Sequence, residues 1–129
     1  MALILPLSLL ATVPVIGADA CFANAATQAA LNRCAGAELE AAESAQSEAG
    51  NAYAERLDPE QRELFEAMQL HWRRYRDAAC EFETSGVLGG SAYRMVLGQC
   101  LAAKTRLRAA ELEALDDCQE GDLSCPHRR

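Results

Sequence analysis

Past residue 20 this chain holds two valines, Val87 and Val96, and no isoleucine. β-Branched residues stock most strands, and here no apolar–polar alternation runs for more than a few residues. Alanine, glutamate, glutamine, leucine and arginine take their place, all strong helix formers. The fold class that follows is all-α, and the length is that of one domain.

End signals place three helices. The first covers about Ala26 to Arg56, with Thr27 at its start. Leu31, Cys34, Ala41, Ala42, Ala45, Ala49 and Tyr53 recur at steps of three and four and form one face. Gly50-Asn51 is a weak point where it is expected to kink. Asp58-Pro59-Glu60 then opens a second helix, with aspartate suited to the N-cap, proline to the first position and acid to the first turn. That helix runs to about Phe82, and its apolar stripe reads Phe65, Met68, Trp72, Tyr75, Ala79. Thr84 to Gly90 is a loop by its glycine and serine content. Ser91 is expected to cap a third helix reaching about Asp117, with Met95, Leu97, Leu101, Leu107, Arg108, Leu112 and Leu115 on one face. Short connections imply antiparallel neighbours. The expectation is a three-helix antiparallel bundle with a long first helix, whose small residues let the other two approach closely.

Such a core is thin. The chain has one Trp, three Tyr and three Phe, and small domains bury a lower fraction of their surface than large ones. Cross-links compensate, and six cysteines are present: Cys21, Cys34, Cys80, Cys100, Cys118 and Cys125. An even count in a small exported chain reads as a disulfide framework. Six cysteines allow 15 connectivities, so sequence alone leaves the pairing open. In a hairpin centred on the glycine loop, Cys80 and Cys100 fall at similar heights. Mirroring the first helix on the second about Asp58 also brings Cys34 near Cys80. The pairing favoured is Cys21–Cys34, Cys80–Cys100 and Cys118–Cys125, and its rival joins Cys34 to Cys80 and Cys21 to Cys100.

Export is read from the N-terminus, MALILPLSLLATVPVIGADAC. It is an apolar run, broken by two prolines and ending Ala18-Asp19-Ala20, with the form of a cleavable signal over residues 1–20. It is too short and broken to span a membrane. Lipid anchoring at Cys21 is disfavoured, because a large aliphatic residue is wanted where Ala18 stands. The remaining domain is residues 21–129, with an irregular tail from about Cys118. It keeps all 12 basic residues and loses one of 19 acids, Asp19, which leaves a net charge of −6. That sign disfavours nucleic acid and anionic membrane surfaces and steers the chain toward cationic partners.

Reactive chemistry finds no footing. The acids are spread along helix surfaces, and neither His71 nor His127 is placed beside a serine, so no enzyme is expected. There is no C-x-x-C or C-x-x-C-H. Cys118, Cys125 and His127 group only three ligands for a metal, and export favours a disulfide there. No metal or other cofactor is expected.

A set of spaced residues then stands out. It begins at Cys21 and continues through Thr27-Gln28, Leu31-Asn32-Arg33-Cys34-Ala35, and Gln69-x-x-Trp72-x-x-Tyr75-Arg76-Asp77-x-x-Cys80. It ends with Gly89-Gly90-Ser91, Cys100 and Thr105-x-x-Arg108-x-x-x-Leu112. In these the chain resembles the LprI-type lysozyme inhibitor domain of bacterial proteins. The resemblance implies an exported, periplasmic or secreted helical protein whose usual cysteines are Cys21, Cys34, Cys80 and Cys100. Gln69, Trp72, Tyr75, Arg76, Asp77, Thr105 and Arg108 would be its structural motif, and a basic lysozyme its partner. Two departures are evident. Gln46, Ala49 and Gly50 stand where the family's first helix usually carries Asp, Leu and Asn, and Cys118 and Cys125 are additional.

The residues of the motif read first as core, with Trp72 and Tyr75 packing inward and one of Arg76 and Asp77 pairing with a neighbouring helix. The partner-binding candidates lie in the clamped loop: Ser85, Gly89, Gly90, Ser91, Tyr93 and Arg94. A loop ordered in advance, with little side-chain bulk, enters a cleft at low entropic cost. Its polar donors would meet the carboxylates of a lysozyme cleft. The alternative is an envelope interaction or scaffold module for another cationic protein.

Overall fold

The computed structural model describes residues 17–119 and 121–127. Four helices appear among them, and no strand: α1 Ala18–Asn24, α2 Gln28–Ala54, α3 Pro59–Glu83 and α4 Tyr93–Asp116, with a 3-10 turn at Ser85–Val87. The all-α class stands, with one helix more than the sequence placed. Residues 1–16 of the expected signal lie outside the described residues, and the expected cleavage point after Ala20 falls inside α1.

Two of the helix starts follow from their sequence. The Thr27 side chain accepts the Ala30 N–H. Asp58 and Gln61 form a reciprocal capping box ahead of Pro59, the arrangement that satisfies two otherwise orphaned donors. The third start does not. α4 begins at Tyr93 behind Ala92, which gives no side-chain cap, and Ser91 contributes its carbonyl to Asn32 instead. α2 continues as helix through Gly50-Asn51, the expected weak point. Gly50 is buried, and a Cβ there would meet Gln69, Leu112 and Phe65 at 3.4–3.9 Å. It faces a packed surface inside a continuous helix.

The closest helix pair is α2 with α4. Their contacts advance together, Gln28 with Met95, Ala35 with Gly98, Gly50 with Leu112 and Arg56 with Asp116, so the two run parallel. A Cβ on Gly98 would lie 3.2 Å from the Ala35 Cβ and 3.3 Å from its carbonyl oxygen. Only small residues allow that approach. α3 runs against both: Arg76 reaches Glu43 of α2, while Gln69 meets Arg108 and Cys80 meets Cys100 of α4. The short connections thus give antiparallel sequence neighbours, but the most intimate contact is between the two parallel helices.

The apolar core sits at the α2–α3 turn, where Tyr53, Leu57, Phe65 and Leu112 cluster, with Ala49, Ala54 and Leu115 against them. Tyr53 and Phe65 rings lie 5.4 Å apart at 60°. Burial, then the charge of Asp116, pushes the Tyr53 phenol pKa up. Arg56 Nε lies 3.0 Å from Asp116 Oδ1 as an ion pair, without the alignment of a hydrogen bond.

The tail is irregular but not loose. The Cys118–Cys125 disulfide folds it back, the Gln61 amide donates to the Pro126 carbonyl, and His127 packs edge-on against Tyr53. His127 Nδ1 is 3.3 Å from the Tyr53 hydroxyl. Asp122 accepts from both the backbone and the hydroxyl of Ser124, which holds its carboxyl pKa below the usual range.

Candidate partner-binding site

The connection between α3 and α4 is clamped. Cys80 and Cys100 are joined with their Cα atoms 5.8 Å apart. Buried Thr84 ends α3 by donating both its N–H and its hydroxyl to the Cys80 carbonyl. Ser85 Oγ donates to the Phe82 carbonyl at 2.8 Å. Gly89 takes φ +82°, a conformation side-chain-bearing residues rarely adopt, and Gly90 N–H closes a turn on the Val87 carbonyl. Asn32 of α2 donates to the Ser91 carbonyl at 3.2 Å and itself accepts from Gln28. The loop is therefore tied at both ends and along its α2 side.

Gly89, Gly90, Ser91, Tyr93 and Arg94 line one open depression of about 500 Å³, together with Gln28, Ala29 and Asn32. Ser85 does not join them, being held against the end of α3. Arg94 is exposed and Tyr93 half-buried. Two residues that sequence reasoning missed dominate the tip. Leu88 is 70% exposed and Val87 40%, and Phe82 beside them is 81%. The signal was present, since Val-Leu in the middle of a glycine–serine loop has no local reason to be apolar.

The residues read from the sequence as a structural motif lie elsewhere, at the waist of the bundle. Trp72 is half-buried, with the guanidinium carbons of Arg76 and Arg108 each 5.6 Å from its ring centre. Arg76 donates to Glu43, Thr105 and Asp77 at 3.1, 3.0 and 2.8 Å. Arg108 donates twice to Gln69 Oε1, at 3.0 and 2.7 Å, and once to Glu111 at 2.9 Å. Gln69, Trp72, Arg76, Asp77, Thr105 and Arg108 are thus one network. The expectation that Tyr75 packs inward is corrected: it is 66% exposed, and the place on the inner face goes to Arg76, 8% exposed. Met68, Ala41, Ala45 and Leu107, also placed on inner faces from the sequence, are likewise exposed. His71 is exposed as well.

The remaining cysteines pair as Cys21–Cys34, Cα 5.7 Å apart, which holds α1 on α2, and Cys118–Cys125, 5.6 Å apart. The rival link of Cys34 to Cys80 is not formed. Cys118, Cys125 and His127 bring their ligand atoms within 4.8 Å of one another. The two sulfurs are bonded to each other, so the thiolates a metal needs are already consumed.

These features define an all-α, disulfide-stapled domain with a polar waist and a clamped, apolar-tipped loop. The model of the family described as lysozyme inhibitor LprI matches residues 19–112, and the chain belongs to that family. The match ends at Leu112, so the Cys118–Cys125 tail lies outside it. An uncharacterized protein of Rhizobium meliloti (strain 1021), R02472, is 40% identical over 58 residues, 45% of this chain and 42% of that one. The chain therefore spans less than half the length of that relative. No solved structure matches. The family is one of inhibitors, not of enzymes. Among the described residues no helix is long and apolar enough to cross a membrane.

Proposed function

We propose that the protein is an exported binding protein of the bacterial envelope that inhibits a basic lysozyme by presenting the loop from Ser85 to Arg94 to its cleft. Family membership is the observation that carries this reading. The loop's clamping supports the choice of surface, since order present before binding lowers the entropy lost on binding. Glycines at its bend leave the backbone narrow, Leu88 and Val87 supply apolar area, and Arg94 supplies a cation for the carboxylate pair of a glycosidase cleft. A net charge of −6 over residues 21–129 steers the exported molecule toward a basic enzyme.

Turbidity loss of a cell-wall suspension, measured with purified protein and a basic lysozyme, tests the activity. Arg94→Glu tests the surface, because it sets a like charge against the cleft while lying in an exposed first helical turn that tolerates acid. Inhibition weakens by about tenfold or more, with a marked salt dependence, and the melting temperature stays put. Inhibition unchanged in a stable Arg94→Glu protein would move the contact off this loop. No inhibition by the wild type at all would favour a scaffold role for another cationic partner.

A further inference from the structure

Helix α3 carries two stripes. The inner one is Phe65, Gln69, Trp72, Arg76 and Cys80, described above. Leu64, Met68, His71, Tyr75, Ala78 and Phe82 form the second, spaced 4-3-4-3-4, the repeat of a coiled-coil seam. All six are exposed: Leu64 at 73%, Met68 at 38%, Tyr75 at 66% and Phe82 at 81% among them. At about 1.5 Å per residue the seam is about 27 Å long. Leu107 of α4, 67% exposed, lies next to Arg108, which meets α3 at Gln69. Together these side chains expose on the order of 600 Å² of apolar surface, at the upper end of what a monomer shows.

We infer that this seam is the interface of a homodimer, in which α3 of one copy packs antiparallel against α3 of the other. The spacing 4-3-4-3-4 reads the same in both directions. An antiparallel partner centred near residue 73 therefore sets Leu64 against Phe82, Met68 against Ala78 and His71 against Tyr75, each layer occurring twice. A two-fold interface requires that self-complementarity, since each copy offers the same patch. Two seams bury on the order of 1,200 Å², the lower bound for a specific pair. The inner stripe shows why the outer one is free for this use. α3 meets its own bundle through Phe65, Gln69, Trp72 and Arg76, and Leu64, Met68, Tyr75 and Phe82 are left on the side. Each copy carries a net charge of −6 over residues 21–129, so the copies repel and the dimer tightens as salt screens that repulsion.

Sedimentation velocity over a concentration series tests the inference on the purified protein. The wild type shifts from monomer to dimer in the micromolar range, more readily at high salt, and Leu64→Glu/Phe82→Glu stays monomeric with its helical circular dichroism and melting temperature retained. A wild type that is monomeric at millimolar concentration overturns the proposal, and so does a double variant that still dimerises. Orientation is read by cross-linking, which is clean because the described cysteines leave no free thiol. Leu64→Cys and Phe82→Cys proteins, mixed under mild oxidation, give a covalent heterodimer, whereas either variant alone does not. Cross-linking of each variant with itself would mean a parallel pair and sink the antiparallel register. Loss of lysozyme capture in a Leu64→Glu/Phe82→Glu protein whose wild type never dimerises would assign the seam to that partner instead.

Discussion

The α2–α3 turn and the waist of the bundle use the same three helices and are held by opposite means. At the turn, Tyr53, Phe65 and Leu112 exclude water and contact one another through carbon. Beginning one helical turn away, Gln69, Arg76, Thr105 and Arg108 are just as inaccessible, at 8% exposure or less, yet bond through nitrogen and oxygen around a tryptophan. An apolar cluster stabilises in proportion to the area it removes from water and accepts many shapes. A buried polar network contributes little net energy but penalises every arrangement that leaves a member unpaired. The turn gives the domain stability. The waist sets the register of α3 against α2 and α4, because Arg76 and Arg108 each find their partners at one helical offset only. This accounts physically for Gln, Trp, Arg, Asp and Thr, rather than leucines, standing at the waist of this chain.

The largest expected effect breaks the turn. Leu112→Ala removes a fully buried side chain of the apolar cluster, packed close to Gly50 of α2. It costs about 2–5 kcal/mol in chemical denaturation, the range for such deletions. In so small a domain that is a large share of the total.

A smaller effect sharpens the contrast at the waist. Arg108→Met leaves Gln69 Oε1 buried without its donor, at about 1–3 kcal/mol, while Glu111 on the other side is exposed enough for water to replace the arginine. Adding Gln69→Leu removes the orphaned acceptor. The double variant regains most of the loss, and a denaturant double-mutant cycle reads the coupling directly. Simple additivity of the two substitutions would show that the waist is not a network. The same cycle at the turn, Phe65→Leu with Leu112→Ala, lacks this rescue, because two apolar deletions only enlarge one cavity.

That division also decides what could be read in the sequence. Helix content, the start of α3 at Asp58-Pro59 and the start of α2 at Thr27 depend on neighbours within one turn and were legible. The inner face of α3 was not. Apolarity alone favours Met68 and Tyr75, and only the presence of Glu43, Thr105 and Gln69 opposite makes Arg76 and Arg108 buriable. The stripe drawn from the sequence mixes inner Phe65 and Trp72 with outer Met68 and Tyr75, which hides the distinction. Small residues promised a close helix contact on α2, but its location at Ala35 depends on a partner glycine, Gly98, far along the chain. In the candidate site, glycines and clamping cysteines are visible in the sequence, whereas the apolar tip at Leu88 is masked by the glycine and serine around it.

The smallest effect separates two helix starts that look alike on paper. Asp58 and Ser91 each precede a helix and each belong to the residue class preferred at N-caps. Asp58 accepts the Gln61 N–H at 2.8 Å and takes part in a box with the Gln61 side chain. Asp58→Ala therefore removes about 1 kcal/mol, measured as a shift in the denaturation midpoint. The box also fixes Gln61, whose amide reaches the Pro126 carbonyl, so the tail protecting Tyr53 loosens along with the cap. Ser91 sits one residue before the N-cap Ala92 and is tied to α2 through its carbonyl, which every residue has. Ser91→Ala keeps that bond and changes stability by less than about 0.5 kcal/mol, as at other exposed positions. A loss of 1 kcal/mol or more at Ser91 would mean that its hydroxyl caps α4 in solution. Because the variant hardly alters the fold, any change it makes in lysozyme inhibition belongs to the contact itself, and the hydroxyl at the rim of the loop depression can be assigned or dismissed as a donor to the partner.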